Sequence, residues 1–334
     1  MKPAFNDSLG INIKQYICCV MMILVTGAAG QIGTDLTTTL REKFGNQNVV
    51  AMGRKTPMPK DIAEGGPCVM GDVTDIEGYR KIVDDYQIDT VYHLAAILSA
   101  TGESNPQLCY DVNLNGLYNV LEVAKEQGQR LFCPSSIAVF GPGTPLENTP
   151  QETVLKPTTM YGVTKVAGEL LCDYYFHKYG VDVRGIRYPG LISWKTRPTG
   201  GTTDYAVEIY YEAVLNNKYE CFVRSDTKLP MMYMPDAIKG TLDLMDAPLE
   251  SLKHHSDFNF AGMSFSAQEL ADCVSTRMPE FECTFNPDSR QNIADSWPDS
   301  IDDSAASEEW GWKPSYDLEK MSDDMLENLK RKLG

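Results

Sequence analysis

The sequence predicts an α/β fold built on a doubly wound parallel sheet. Three observations predict it. Strand-length apolar runs alternate with amphipathic helical patterns from residue 22 to about 190. The first run, Met22–Thr26, passes directly into a glycine-rich turn and then a helix. Beyond residue 190 the alternation becomes irregular, with fewer and shorter elements.

Bulk properties narrow the function classes. The chain has 334 residues, 43% of them hydrophobic, enough for a sizeable core. A net charge of −16 argues against a nucleic-acid groove or an anionic membrane surface as partner. No apolar run reaches the ~18 residues needed to span a bilayer. Nine scattered cysteines, none in a Cys-x-x-Cys pair, read as reduced thiols of an intracellular protein. The four histidines, His93, His177, His254 and His255, offer no metal-ligand spacing, so no metal is expected. Residues 1–20 contain Lys2, Lys14 and Asp7 but no Arg. A mitochondrial presequence is Arg-rich and acid-poor; an upstream extension and a short leader both remain open.

The glycine turn reads Gly27-Ala28-Ala29-Gly30-Gln31-Ile32-Gly33, and Ile32, Leu36 and Leu40 share one face of the helix that follows. Strand, glycines and helix in that order form a dinucleotide junction. Gly27 would permit the tight turn, Gly30 the approach of a pyrophosphate, and Gly33 close helix–strand packing. Residues 48–52 read as a second strand. Its end should carry an acid for the adenosine ribose, but the chain reads Met52-Gly53-Arg54-Lys55. Arg54 and Lys55 suit a 2′-phosphate, or are solvated loop cations. Cys68–Met70 is a third strand, ending near Asp72. That carboxylate either meets an adenine amino group or caps a helix over 77–86. Residues 90–94 form a fourth strand, and Ala95-Ala96 after it leave room for a ribose. A helical pattern covers 113–125.

Residues 131–134 read as a fifth strand, running into Ser135-Ser136 at the sheet edge where ligands bind. A loop over 141–158 then leads to a helix bearing Tyr161 and Lys165. Tyr and Lys four apart share a helix face. The ammonium favours a phenolate; lowering a phenol from ~10 by ~2–3 units takes roughly 3–4 kcal/mol. Tyr174/Lys178 and Tyr316/Lys320 have the same spacing, but only Tyr161/Lys165 follows directly on the serine-bearing strand. Residues 181–187 form a sixth strand, ending in Arg187-Tyr188-Pro189-Gly190. Gly200-Gly201-Thr202-Thr203 either binds an anion or is a loop ending in a Thr203 or Asp204 helix cap. Further helices are expected to Leu215 and over 235–246, 266–277 and 317–332, with strands over 257–260 and 282–285.

Together the G-x-x-G-x-x-G junction, Ser-Ser-x-Ala-x-Phe-Gly, Tyr-x-x-x-Lys and Arg-Tyr-Pro-Gly resemble the extended short-chain dehydrogenase/reductase family over residues 22 to about 330. Within it, residues 94–100, 189–206 and 229–234 are similar to the short-chain L-threonine 3-dehydrogenases. The resemblance implies a Rossmann domain over 21–190. It also implies a smaller, discontinuous C-terminal substrate lobe over 191–334, with segments returning to the first domain. Tyr161 would be the base, Lys165 its electrostatic partner, and Ser136 the second hydroxyl on the reacting oxygen. NAD would touch Gly27, Gly30, Gln31, Ile32, Gly33, Arg54, Asp72, Val73, Leu94, Ala95, Ala96, Tyr161, Lys165 and Tyr188. The missing acid at Gly53-Arg54 leaves NADP open. L-Threonine would meet Ser99, Ser136, Tyr161, Gly190, Thr202 and Trp297.

The implied reaction oxidises L-threonine at C3 to 2-amino-3-oxobutanoate, on the way to glycine and acetyl-CoA or to aminoacetone. Two competing readings are a nucleotide-sugar epimerase or dehydratase, which retains its cofactor and yields no net NADH, and a non-catalytic cofactor sensor. The intact Ser/Tyr/Lys set speaks against the sensor. The resemblance also implies a homodimer through helices at 105–127 and 158–179. It favours the mitochondrial matrix, with the cytoplasm as the other location.

Overall fold

The computed structural model describes residues 21–197 and 201–334. Residues 1–20 and Gly200 of the candidate anion loop lie outside the described residues. In chain order the first strands and helices are β1 (Ile23–Thr26), α1 (Gln31–Phe44), β2 (Val49–Gly53), α2 (Lys60–Gly65), β3 (Cys68–Met70), α3 (Ile76–Tyr86) and β4 (Thr90–His93). Then come α4 (Ser99–Ser104), α5 (Pro106–Tyr110), α6 (Gly116–Gln127), β5 (Arg130–Phe132), β6 (Ser135–Ser136), α7 (Met160–Tyr179), β7 (Val183–Arg184), β8 (Ile186–Tyr188) and β9 (Gly190–Ile192). The remainder is α8 (Tyr205–Asn216), β10 (Lys218–Cys221), β11 (Lys228–Tyr233), α9 (Met234–Asp246), β12 (Phe258–Asn259), β13 (Met263–Ser266), α10 (Ala267–Arg277), β14 (Glu282–Phe285), α11 (Arg290–Ala294), α12 (Ser304–Trp310) and α13 (Leu318–Leu333).

The predicted parallel sheet is present, in the order β3-β2-β1-β4-β5-β7. Alternation along β1 explains its two covered faces. Ile23 and Val25 join one apolar cluster with α1 and α9, while Leu24 joins another with α3 and α6. Chain order reverses between β1 and β4, which pair with Thr26 beside His93. In such sheets the crevice at the carboxyl ends of that pair receives the ligand.

Both strands expected over 131–134 and 181–187 are broken in two. Pro134 has no N–H to donate. A Cβ on Gly185 would lie 3.0 Å or less from the Ser256 backbone. Gly185 N–H instead donates to the His255 carbonyl at 2.8 Å. Beyond this break a second sheet, β12-β8-β6, takes over, with Ser136 beside Tyr188. Its strand β12 comes from the C-terminal part of the chain, Phe258 pairing with Ile186.

Two local expectations are corrected. Asp72 does not cap α3; Asp75 does, its carboxylate accepting from Gly78 N–H at 3.1 Å. The helix expected over 113–125 begins with a π-helical turn at Asp111–Asn115, and α6 follows. Four strands escaped the pattern reading: β9, β10, β11 and β13. Each finds its partner far along the chain, β10 on β14 and β11 on both β9 and β13. A further apolar cluster gathers α8, α10 and α13 around Tyr205, Tyr210, Leu270 and Met325.

Candidate active site

The glycine junction forms a cradle at the crevice. Gly27 has φ +68°, and a Cβ there would lie 2.8–2.9 Å from Leu94 and Ala95 backbone atoms. Only glycine tolerates both demands. A Cβ on Gly33 would come within 2.7 Å of Ala28 Cα, so α1 packs directly on the turn. Gly30 is the N-cap of α1 and supplies no side-chain cap, nor is there an acid in the first turn. The first N–H groups of the helix are thus available to an anion, in the favourable field of the helix N-terminus. Gln31 Nε2 is buried with no hydrogen-bond partner among the described residues. An unpaired donor at that place fits a pyrophosphate.

At the adenosine end, Arg54 Nε pairs with Asp72 Oδ2 at 2.8 Å. The other carboxylate oxygen accepts from Thr74 N–H at 3.0 Å and its hydroxyl at 2.7 Å. Burial works against the Asp72 charge, but Thr74 and Arg54 together hold its carboxyl below the usual range. Arg54 therefore has an acid beside it after all, supplied by the loop after β3 rather than by the end of β2. The Val73 side chain points into the core, packed against Gly116.

Helix α7 carries Tyr161 and Lys165. Thr159 caps it, accepting from Gly162 N–H at 3.0 Å. Gly162 lets α7 lie against the turn after Ser136: a Cβ there would be 2.5 Å from Pro157 Cβ and closer still to the Ala138 carbonyl. Ser136 Oγ accepts from Ala138 N–H at 3.2 Å, which holds it at the start of that turn. Lys165 Nζ donates to the Pro134 carbonyl at 2.7 Å and lies 5.6 Å from the Tyr161 ring centroid. The ammonium is thereby fixed between the serine-bearing strand and the phenol. Leu94, Ala95 and Ala96 line one cavity together with Lys165.

Sequence reasoning missed other residues of that cavity. Asn113 is 8% exposed. It accepts from Ile97 N–H at 2.7 Å, donates to Ile97 C=O at 3.0 Å, and donates to Thr164 Oγ1 at 3.2 Å. An amide on the buried face of a helix was the available signal. His93 also lines the cavity. Burial, with the Lys165 charge nearby, pushes its pKa down to about 3, so it is a neutral ring. His93 Nδ1 lies 3.1 Å from Thr26 Oγ1, which in turn accepts from Leu94 and Ala95 N–H.

Ser99 is buried at the start of α4. That helix packs on α7, Gly102 facing Tyr161 Cβ. Gly190 follows Tyr188 by two residues, and a Cβ on it would be 2.9 Å from Thr203 Cβ. Thr202 is 1% exposed, and its hydroxyl has no partner among the described residues. Trp297 is buried in the same apolar cluster as Ile192 and Tyr205. The Tyr188 side chain is buried, 4% exposed. The ring packs between Phe132 and Phe260, at 6.3 and 5.9 Å, and its hydroxyl bonds Thr241. Burial raises its pKa above the usual phenol value. β8 is buried on both faces, a fact its tetrapeptide motif does not reveal.

A model of the NAD dependent epimerase/dehydratase family matches residues 23–261. A curated relative, an uncharacterized epimerase/dehydratase of Staphylococcus haemolyticus, is 48% identical over 311 residues, 93% of this chain and 98% of that protein. Solved structures extend the likeness. A monomeric L-threonine 3-dehydrogenase from a metagenome is 57% identical, covers 94% of this chain and 100% of its own, and superposes with TM-score 0.91. The L-threonine dehydrogenase of Clostridium difficile is 51% identical, with coverages of 93% and 98% and TM-score 0.92. The resemblance expected from the motifs therefore holds over nearly the whole described chain.

Proposed function

Because the chain belongs to the NAD dependent epimerase/dehydratase family, we propose that it oxidises L-threonine at C3 to 2-amino-3-oxobutanoate with NAD. The observation that carries the substrate is the 57% identity, across 94% of the chain, to a protein described as an L-threonine 3-dehydrogenase. The Ser136, Tyr161 and Lys165 arrangement supports the chemistry.

Gly27, Gly30, Gln31 and Gly33 would hold the pyrophosphate, and Leu94–Ala96 with Lys165 the ribose. The bound nicotinamide supplies the hydride acceptor. Tyr161 takes the proton of the threonine hydroxyl, with Lys165 stabilising the phenolate. Ser136 donates a hydrogen bond to the same oxygen as it becomes a ketone, which orients it and stabilises the developing charge. Ser99 and Thr202 would hold the amino-acid end. The buried hydroxyl of Thr202, unpaired among the described residues, fits such a partner, since an orphaned buried polar group costs about 1–3 kcal/mol.

The deciding experiment follows absorbance at 340 nm with purified protein, L-threonine, and NAD or NADP in parallel. Growth of the signal supports the reading. Silence with both, alongside retained cofactor, favours the epimerase reading that the curated relative's name carries.

We also propose a homodimer, although one similar protein is described as monomeric. Tyr110, Tyr118, Leu170, Tyr174 and Tyr179 are 45–64% exposed on α5, α6 and α7. An apolar patch of this kind commonly marks an interface, and sedimentation decides it. The matrix location is a further proposal. Residues 1–20 fused to a fluorescent reporter should direct it to mitochondria, and a diffuse signal would refute that.

A further inference from the structure

A second cavity lies where α1 meets the substrate lobe, between Asp35 and Thr39 of α1, residues 193–195 after β9, and Ile238 and Leu242 of α9. Asp35 stands in its wall, 7% exposed. A carboxylate so placed needs partners, and both come from the chain after β9. Lys195 Nζ pairs with Asp35 Oδ1 at 2.6 Å, and Ser193 Oγ donates to Oδ2 at 3.4 Å. Ser193 Oγ also accepts from Lys195 N–H at 3.2 Å, closing the turn. Burial raises the Asp35 pKa and Asp61 adds to that, while Lys195 and Ser193 oppose it.

The same turn is held from its other side. Tyr211 of α8 donates to the Trp194 carbonyl at 2.6 Å, and Lys332 of α13 to the Lys195 carbonyl at 2.6 Å. Residues 193–195 thus tie the substrate lobe to the helix that faces the cofactor. Strand β9 runs into this turn from Gly190, the glycine against which Thr203 packs. Thr203 adjoins Thr202, whose buried hydroxyl has no partner among the described residues.

We infer that Asp35 is a positioning residue for the substrate: it fixes the end of β9 against α1, so that Gly190 and Thr202 keep their places at the Ser136–Tyr161 edge. The inference rests on the proposed threonine oxidation. It predicts a selective effect. The phosphate-facing turn of α1 is held independently, by the contact of Gly33 with Ala28 and by Ala28 N–H donating to the Met52 carbonyl at 3.1 Å.

The test is steady-state kinetics on Asp35→Asn, Asp35→Glu, Lys195→Met and the Asn/Met double variant. Asp35→Asn and Lys195→Met should each raise KM for L-threonine about tenfold, the scale of one charge-assisted hydrogen bond. KM for NAD and kcat should stay within about twofold. The double variant should be no worse than either single, because both remove one interaction. Asp35→Glu should recover part of the loss. A fold that is merely less stable would lower the active fraction, and so kcat, without singling out KM for threonine. An unchanged KM for threonine, or an equal rise in both KM values, overturns the inference. Amide hydrogen exchange gives a substrate-free reading: residues 193–195 should exchange faster in Asp35→Asn, with residues 36–44 still protected. No difference there also overturns it. If the wild-type protein fails to oxidise L-threonine, the proposed function falls, and the exchange result still decides the role of Asp35.

Discussion

Replacing Gly162 by Ala should cripple catalysis while sparing the fold. The added Cβ would stand 2.5 Å from Pro157 Cβ and closer to the Ala138 carbonyl. Carbon atoms prefer about 3.5–4.0 Å, so α7 must move roughly 1 Å away from the turn that begins at Ser136. Tyr161 immediately precedes the site and moves with it. A displacement of about 1 Å in a reacting group can cost about 10²-fold in rate. Gly168 supplies the control on the same helix. A Cβ there meets only the Leu117 Cδ2 methyl, at 3.2 Å, and a methyl can shift. Alanine also favours helix over glycine by about 1 kcal/mol. Gly168→Ala should therefore keep kcat within about twofold and hold or raise Tm. The assay is NADH formation at 340 nm under saturating substrates, with Tm and NAD binding measured on the same samples. A Gly162→Ala enzyme within threefold of wild-type kcat would refute the claim that this contact sets the Ser136–Tyr161 geometry.

Four further outcomes are expected. Tyr161→Phe should abolish turnover with NAD binding intact by fluorescence titration; a substantial residual kcat removes Tyr161 as the base. Ser136→Ala should lower kcat about 10²-fold through loss of a hydrogen bond to the reacting oxygen, and a near-normal rate would make its role packing alone. Asp72→Asn frees Arg54 from its 2.8 Å partner and should raise the NADP:NAD ratio of kcat/KM about fivefold, on the order of 1 kcal/mol for one partly exposed charge pair; an unmoved ratio would show that Arg54 does not face the 2′ position. Burial pushes the Asp257 carboxyl up to about 6 despite Arg187 beside it. Its folded pKa exceeds the unfolded value, so the folded state binds the proton more tightly and this group's contribution to stability declines as pH rises from about 4 to 6. Asp257→Asn should gain on wild type by about 2–3 kcal/mol across that window, measured as the difference between urea melts at pH 4.5 and 7.5; a pH-independent difference would sink the assignment.

What the sequence determined by itself was whatever short-range physics enforces. A positive φ at Gly27 and a helix packed on the turn at Gly33 require glycine, so the cofactor junction is written in residue types. The strand β1, buried on both faces, and the helical stripe of Leu36 and Leu40 follow from the apolar pattern alone. The choice of Tyr161–Lys165 over two equal spacings needed only its place after the serine-bearing strand. Tertiary structure alone decided the rest, because it depends on partners distant in the chain. The direction of Tyr188 is set by Phe132, Phe260 and Thr241. The acid that Arg54 meets is Asp72, in the loop after the neighbouring strand β3. Asn113 enters the site because Ile97 and Thr164 hold its amide. No sequence pattern singles out Asp35, and only the fold brings Lys195, 160 positions on, to its carboxylate. Spacing encodes which residues share a face; it carries no record of which face another element will cover.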